Sequence, residues 1–306
     1  MLRRHLPFVA TAAMAMPALA AAPLAGSQAP GFQRRRVGRF EVTALLDGHL
    51  PIEAEMFSLP AAESARLITR DFRPAGPVVT PVNAFALNDG QRLILVDAGT
   101  GTLMPGLGGL PGALAAAGLA PAQVDAVLLT HLHPDHAGGL LTAQGGPLFP
   151  NAEILVQAEE AAFWTDAGMA ARAGADAQPF FQAAQAALAA YGNRVRRFAA
   201  NAEVAPGIRA TALPGHTPGH TGFMIEGGLW LWADTVHVAA FQFPRPEATI
   251  AFDTDRAAAA AARGRAFDQA ATERLLVGGA HLPFPGFGHV ERDGGFIFRP
   301  APFLPL

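Results

Sequence analysis

The chain has 306 residues, 51% of them hydrophobic, enough for one large core or for two smaller ones. Its formal net charge is −3, so it carries no electrostatic footprint for nucleic acid. All 22 basic residues are arginine and cysteine is absent, which excludes lysine nucleophiles, phosphate-loop lysines, thiolate ligands and disulfides. Any metal must be held by histidine and carboxylate.

Arg3-Arg4 precede an alanine-rich apolar stretch, Leu6–Leu19, with small-residue cleavage sites at Ala18-Leu19-Ala20 and Ala20-Ala21-Ala22. Pro7, Pro17 and Pro23 oppose a stable membrane span. Residues 1–22 therefore read as an export signal, and the paired arginines point to twin-arginine export into the periplasm. Residues 23–35 read as a loose lead-in, and 36–306 as a single domain with no membrane span.

Arg39–Leu46 alternates as a strand and ends in the turn signal Asp47-Gly48. Residues 50–81 are Pro-rich around one helical segment, Ala61–Arg70, and read as a cap or lid insertion. Val82–Leu87 and Arg92–Val96 flank Asn88-Asp89-Gly90, a hairpin signal. The glycine-rich stretch Gly99–Gly112 follows no phosphate-loop pattern and leads into an alanine-rich helix. Val124–Leu129 is a continuous apolar run, as expected of a buried strand.

Directly after it stands His131-Leu132-His133-Pro134-Asp135-His136, which holds three of the chain's ten histidines. In extended backbone His131 and His133 project to one side. Pro134 breaks the extension, and Asp135 opens a helix, so Asp135 and His136 are re-aimed. One loop can thus feed two neighbouring metals, and imidazole with carboxylate suits zinc and its borderline neighbours.

Ile154–Gln157 reads as a strand, followed by helices over Glu159–Ala167 and Ala177–Tyr191. Ile208–Leu213, Gly222–Glu226 and Leu229–Ala233 read as further strands, then a helix over Asp253–Ala271 and a short strand, Leu275–Val277. Strands followed by helices, twice over, predict an α/β fold of two packed sheets with helices outside. Phe241–Pro246 reads as an exposed apolar segment suited to a homodimer contact.

Four ligands cannot serve two metals. His216, in Pro214-Gly215-His216-Thr217-Pro218-Gly219-His220, Asp234 and His281 each end an apolar strand, the position the hexapeptide occupies. A strand-end polar residue is ordinarily a turn or cap residue. That reading loses force when three share one topological place with the hexapeptide.

Together these residues resemble the motifs of the metallo-β-lactamase superfamily of hydrolases. The resemblance implies a four-layer αβ/βα sandwich of two mixed sheets and outer helices. It implies two divalent metal ions, zinc by default, with manganese, iron or cobalt also compatible with this ligand set. By it His131, His133 and His216 would hold one ion, Asp135, His136 and His281 the other, and Asp234 would bridge them. Asp97 matches an aspartate that orients a ligand imidazole, although an ordinary strand-end role is equally open, and His220 reads as a hydrogen-bonding strut.

Within the superfamily, the bridging carboxylate at Asp234 argues against the zinc β-lactamases and the lack of lysine against glutathione thioesterases. The chain is most similar to the methyl parathion hydrolases and their lactonase-like relatives, from Phe40-Glu41-Val42-Thr43-Ala44-Leu45 to Phe296-Ile297-Phe298. Phe149-Pro150-Asn151-Ala152, Phe163-Trp164 and the run from His281 to His289 are the more specific matches. The likeness implies Trp164 and Phe180 or Phe181 in a substrate pocket. Its substrates would be small-molecule lactones, aryl esters or phosphotriesters, attacked by hydroxide bridging ions about 3.5–4 Å apart. Asp135 and Asp234 would accept the proton. His237 stands where acyl-homoserine lactonases carry tyrosine; it either donates a hydrogen bond to the substrate or is structural. The competing expectations are a β-lactamase-like amide hydrolase and a non-catalytic metal-binding or sensory protein.

Overall fold

The computed structural model describes Ala22 and residues 24–306, so the export signal expected over residues 1–22 lies, except for Ala22, outside the described residues. Among the described residues no helix is long and apolar enough to cross a membrane.

The first half of the chain forms β1 (Phe32–Val37), β2 (Phe40–Ile52), helix α1 (Ala61–Arg70), β3 (Val78–Asn88) and β4 (Leu93–Val96). It continues through α2 (Leu110–Ala116), β5 (Ala126–Leu128), α3 (Pro134–Ala137), β6 (Glu153–Gln157), α4 (Ala158–Thr165), α5 (Ala167–Arg172), α6 (Gln178–Tyr191) and β7 (Val195–Phe198). The second half supplies β8 (Glu203–Ala205), β9 (Ile208–Ala212), β10 (Thr221–Ile225), β11 (Leu229–Leu231) and α7 (Ala239–Gln242). It ends with α8 (Arg256–Thr272), β12 (Leu276–Gly278), β13 (Phe287–Arg292) and β14 (Phe296–Pro300). Strands β1 to β7 make one sheet in sequence order, antiparallel through β4 and parallel from β4 to β7. Strands β8 to β14 make the other, also in sequence order, with β11 and β12 its parallel pair.

Alternation along the central strands assigns the layers. In β3 and β4, Phe85, Leu87, Ile94 and Val96 point into a core shared with Ile208, Phe223, Leu229 and Phe287 of the other sheet. Their neighbours Ala84, Ala86, Leu93 and Leu95 point the opposite way, against Leu110, Leu114, Trp164, Phe181 and Leu188 of the helices. Both faces are buried, which is why these strands read as continuous apolar runs. The second sheet turns Trp230 and Val277 outward onto Ala266, Phe267 and Ala270 of α8. The result is the expected four-layer αβ/βα sandwich with two mixed sheets.

Three details differ from the sequence expectation. β1 begins inside the stretch read as a lead-in: its run of arginines looks loop-like, but an edge strand leaves alternate side chains free to reach solvent. The ends of the segment 50–81 are not a separate cap, because β2 and β3 pair in one long hairpin as far as Ile52 and Val78. Only α1 and its flanks form the cap, resting on Ile52, Val78, Phe241 and Ile250. Phe241–Pro246 is no exposed apolar patch either. Phe241 packs edge-on against Phe57, and Phe243 stacks on Phe267, so both aromatic rings belong to cores.

Candidate metal centre

The carboxyl ends of β4, β5, β9, β11 and β12 face one edge of the sandwich, where crevices between sheet ends commonly hold ligands. Asp97 follows β4, the hexapeptide follows β5, and His216, Asp234 and His281 follow β9, β11 and β12. Close backbone packing fixes the loops. Ala98 N–H donates to the His136 carbonyl at 2.7 Å, and a Cβ on Gly139 would stand 2.0 Å from the Ala98 carbonyl oxygen. Only glycine fits behind the hexapeptide.

Two clusters result. His131, His133, His216 and Asp234 form one, and Asp135, His136, Asp234 and His281 the other, with the ligating atoms of each within 4.8 Å of one another. Asp234 belongs to both. Its Oδ1 lies 3.2 Å from His136 Nε2, and its Oδ2 lies 3.3 Å from His216 Nε2 and 3.1 Å from His281 Nε2. Asp135 Oδ2 is 3.4 Å from His136 Nε2 and 3.5 Å from His281 Nε2. All seven side chains expected to ligate are therefore brought together.

The surrounding hydrogen bonds decide which ring nitrogens point inward. His136 Nδ1–H donates to Asp97 Oδ2 at 2.8 Å, and His281 Nδ1–H to the Pro81 carbonyl at 2.9 Å. His216 Nδ1–H donates to Asp253 Oδ1 at 3.0 Å. The Thr130 hydroxyl, committed to the Asp97 carboxylate, accepts from His131 Nδ1–H at 3.1 Å. Each of these four rings thus turns Nε2 inward, to hold either a proton or a metal ion. Nε2 of His131 and of His216 both lie 3.0 Å from His133 Nδ1. Nitrogens this close repel unless a proton or a metal ion lies between them. His136 Nε2 and Asp234 Oδ1, buried polar atoms without hydrogen-bond partners, make the same demand. An all-nitrogen-and-oxygen donor set of this kind fits two divalent ions.

Electrostatics divide the rings. Burial holds His131 and His133 far below the usual histidine value, which keeps them neutral ligands. Burial also opposes charge on His136 and His216, but carboxylates outweigh it: Asp234, Asp135 and Asp97 raise His136, and Asp234 with Asp253 raises His216 to about 9. His220 is pushed down to about 3 by burial and by His216. Its Nδ1–H donates to the Leu213 carbonyl, and its Nε2 accepts the Asp234 backbone N–H at 3.2 Å. It is a strut under the shared aspartate.

A cavity of about 130 Å³ opens over this floor. Leu50, Ile52, Met56, Met104, Phe180 and Phe252 form its apolar wall, and His237 faces it beside His216 and His281. Among the described residues no arginine lines it. His237 stacks on His281 with ring centroids 5.3 Å apart; its Nε2 lies 3.3 Å from Asp234 Oδ2, and its Nδ1 has no hydrogen-bond partner among the described residues. A larger cavity of about 470 Å³ lies against α1, lined by Phe57, Ser64, Ile68 and Arg73, but none of the clustered histidines reaches it.

Of the three aromatic residues expected in the pocket, Phe180 alone lines it. Trp164 lies beneath His133, its ring 5.4 Å away, donating Nε1–H to Glu160 at 2.7 Å. Phe181 packs on Trp164 in the core of the first sheet. Both fall on the inward side of their helices, α4 and α6, a distinction that composition alone does not make. Sequence reasoning missed Asp253, Thr130 and Glu160. Asp253 reads as one more polar residue ahead of α8, and its partner His216 is remote in the chain. Thr130 adjoins the hexapeptide, which was the one available signal.

Residues 77–229 match the family model described as the metallo-β-lactamase superfamily. The chain is similar to the solved hydrolase AbOPH of the β-lactamase superfamily, at 32% identity and TM-score 0.87, over 91% of this chain and 100% of that one. It is similar also to AidC, a dizinc quorum-quenching lactonase solved with the product N-hexanoyl-L-homoserine, at 28% identity and TM-score 0.85 over the same shares. A probable metal-dependent hydrolase from Staphylococcus aureus shares the fold, at 20% identity and TM-score 0.72, over 87% of this chain and 99% of that one. No curated protein sequence matches the chain.

Proposed function

The chain belongs to the metallo-β-lactamase superfamily, and on that footing we propose that it is a dinuclear metallohydrolase of uncharged lactones, aryl esters or phosphotriesters, with lactones first. The observation that carries the reading is the pair of ligand clusters sharing Asp234 at the floor of an apolar cavity. Two bound divalent ions would supply an activated water and Lewis-acid polarisation of the carbonyl or phosphoryl oxygen. His131, His133 and His216 would hold one ion, Asp135, His136 and His281 the other, with Asp234 between them. Zinc is the default occupant, supported by the dizinc relative.

The chain's own groups do the rest. Asp97, Asp253 and the Pro81 carbonyl keep the ligand imidazoles in the tautomer that presents Nε2. Leu50, Ile52, Phe180 and Phe252 exclude water and give an anionic substrate no countercharge. The small volume near the ligands admits a ring or short group, so a longer chain extends past the rim. Asp135, the most exposed ligand, offers a carboxylate oxygen to take up the proton as the leaving oxygen departs. His237 is pushed down to about 4 by burial, partly offset by Asp234 beside its Nε2, and so stands neutral, with one ring N–H to divide between Asp234 and a substrate oxygen. The export signal over residues 1–22 belongs to the same proposal and places the enzyme in the periplasm; the N-terminal sequence of protein recovered from that compartment tests it.

Initial rates on matched panels of lactones, aryl esters, phosphotriesters and a cephalosporin test the activity. Turnover of uncharged esters that is lost with chelator is expected. Turnover of the cephalosporin alone would refute the substrate class.

A further inference from the structure

Glu160 is a fully buried carboxylate, in the first turn of α4, that none of the chemistry above employs. Its Oε1 accepts the backbone N–H of Leu132 at 2.9 Å and the indole N–H of Trp164 at 2.7 Å. Its Oε2 accepts the Thr217 hydroxyl at 2.7 Å and the backbone N–H of Gly219 at 2.9 Å. Leu132 stands between His131 and His133, and Thr217 directly follows His216. One carboxylate therefore grips, from below, both loops that make the first ligand cluster.

The local packing is built around this contact. Gln157 caps α4 by accepting the N–H groups of Glu159 and Glu160, which anchors the carboxylate's own backbone. A Cβ on Gly219 would lie 2.4 Å from Glu160 N and 2.5 Å from Glu160 Cβ. The loop carrying His216 thus rests directly on the first turn of α4. Burial without a countercharge costs free energy, which the four donors offset in part, leaving the Glu160 carboxyl raised above its ordinary value. An apolar residue there would leave all four donors unpaired in a buried space, so the carboxylate is what ties them together. The second cluster is steadied differently, through Asp97 on His136 and the Pro81 carbonyl on His281.

We propose that Glu160 is a positioning residue for the first ion, a clamp that sets the distance between the His131–His133 loop and His216. The proposal rests on the dinuclear reading above. Four donors converge on two oxygens, so Glu160→Gln must turn its NH2 group against a backbone N–H, either that of Leu132, with Trp164 beside it, or that of Gly219. Thr217→Val removes one loop tether and leaves the carboxylate. Trp164→Phe removes a donor that tethers neither ligand loop and keeps an aromatic ring beneath His133.

The test is competition for zinc between a chromophoric chelator and the metal-stripped wild type and variants, with circular dichroism to confirm folding. Wild type should bind two equivalents. Glu160→Gln and Thr217→Val should keep one tight equivalent and weaken the other about 10-fold or more, the usual effect of losing a ligand's supporting shell. Trp164→Phe should hold both within about threefold of wild type, whatever its melting temperature. Equal affinities in wild type and Glu160→Gln would overturn the clamp, as would Trp164→Phe weakening zinc as much as Thr217→Val. Should Glu160→Gln not fold, the last comparison decides. A wild type binding fewer than two ions overturns the dinuclear reading and the clamp with it, whereas failure of the clamp alone leaves two ions in place.

Discussion

Asp97→Asn exchanges one carboxylate oxygen for an NH2 group and changes little else. Asparagine tolerates the left-handed backbone that Asp97 adopts, φ 61°. One oxygen of Asp97 accepts from Thr130 N–H at 2.9 Å, and the other accepts His136 Nδ1–H at 2.8 Å. An amide cannot serve both. If its NH2 faces His136, the ring must accept at Nδ1 and carry its proton on Nε2, the nitrogen aimed at Asp234 and Asp135. If it faces Thr130, two donors confront each other in a buried space, a loss of about 1–3 kcal/mol. At about 1.4 kcal/mol per decade, that is roughly 5- to 150-fold in affinity. Metal competition with a chelator should show the His136 ion weakened by about 100-fold. The first ion should weaken less, because His131 feels Asp97 only through the Thr130 hydroxyl. Wild-type affinity for both ions in Asp97→Asn would refute the tautomer argument.

Three further outcomes follow from the same geometry. His237→Phe should keep both ions but lower kcat by about 10²-fold or more, the low end for removing one hydrogen-bond donor from developing charge; full turnover would reduce His237 to a packing residue. Zinc should bind more tightly as pH rises to about 9, because His216, raised to that value by Asp234 and Asp253 against the effect of burial, must lose its Nε2 proton to ligate. That raised value also stabilises the metal-stripped fold below the unfolded histidine value of about 6.5, a contribution lost as pH climbs through about 9; calorimetry across that window checks the sign, and a flat affinity profile would contradict it. Gly219→Ala should lower stability by about 1–3 kcal/mol, since its Cβ would collide with the first turn of α4; denaturant melts measure this, and an unchanged midpoint would show that the loop can retreat.

The ligand set was legible because its residues share one place. Each follows an apolar strand, and the strands are buried on both faces, so their runs stand out. The two-sheet sandwich was legible for the same reason. The edge strands β1, β7, β8 and β14, and β13 beside the last, were not, because half-exposed strands are short or carry polar residues that read as loops. The supporting carboxylates were legible only in part. Asp97 ends a strand beside its partner's loop, while Asp253 and Glu160 meet theirs across elements far apart in the chain. Trp164 illustrates the remaining limit: its sequence position suggests the pocket, and only the facing of α4 puts it in the core beneath His133.

The central claim is that Asp234 is shared by two ions. Elemental analysis of purified wild type and Asp234→Ala, loaded identically with zinc and freed of excess, tests it most directly. The account predicts two ions per wild-type chain, and a variant that retains less than one and loses most ester hydrolysis. Two ions and full activity in Asp234→Ala would contradict it.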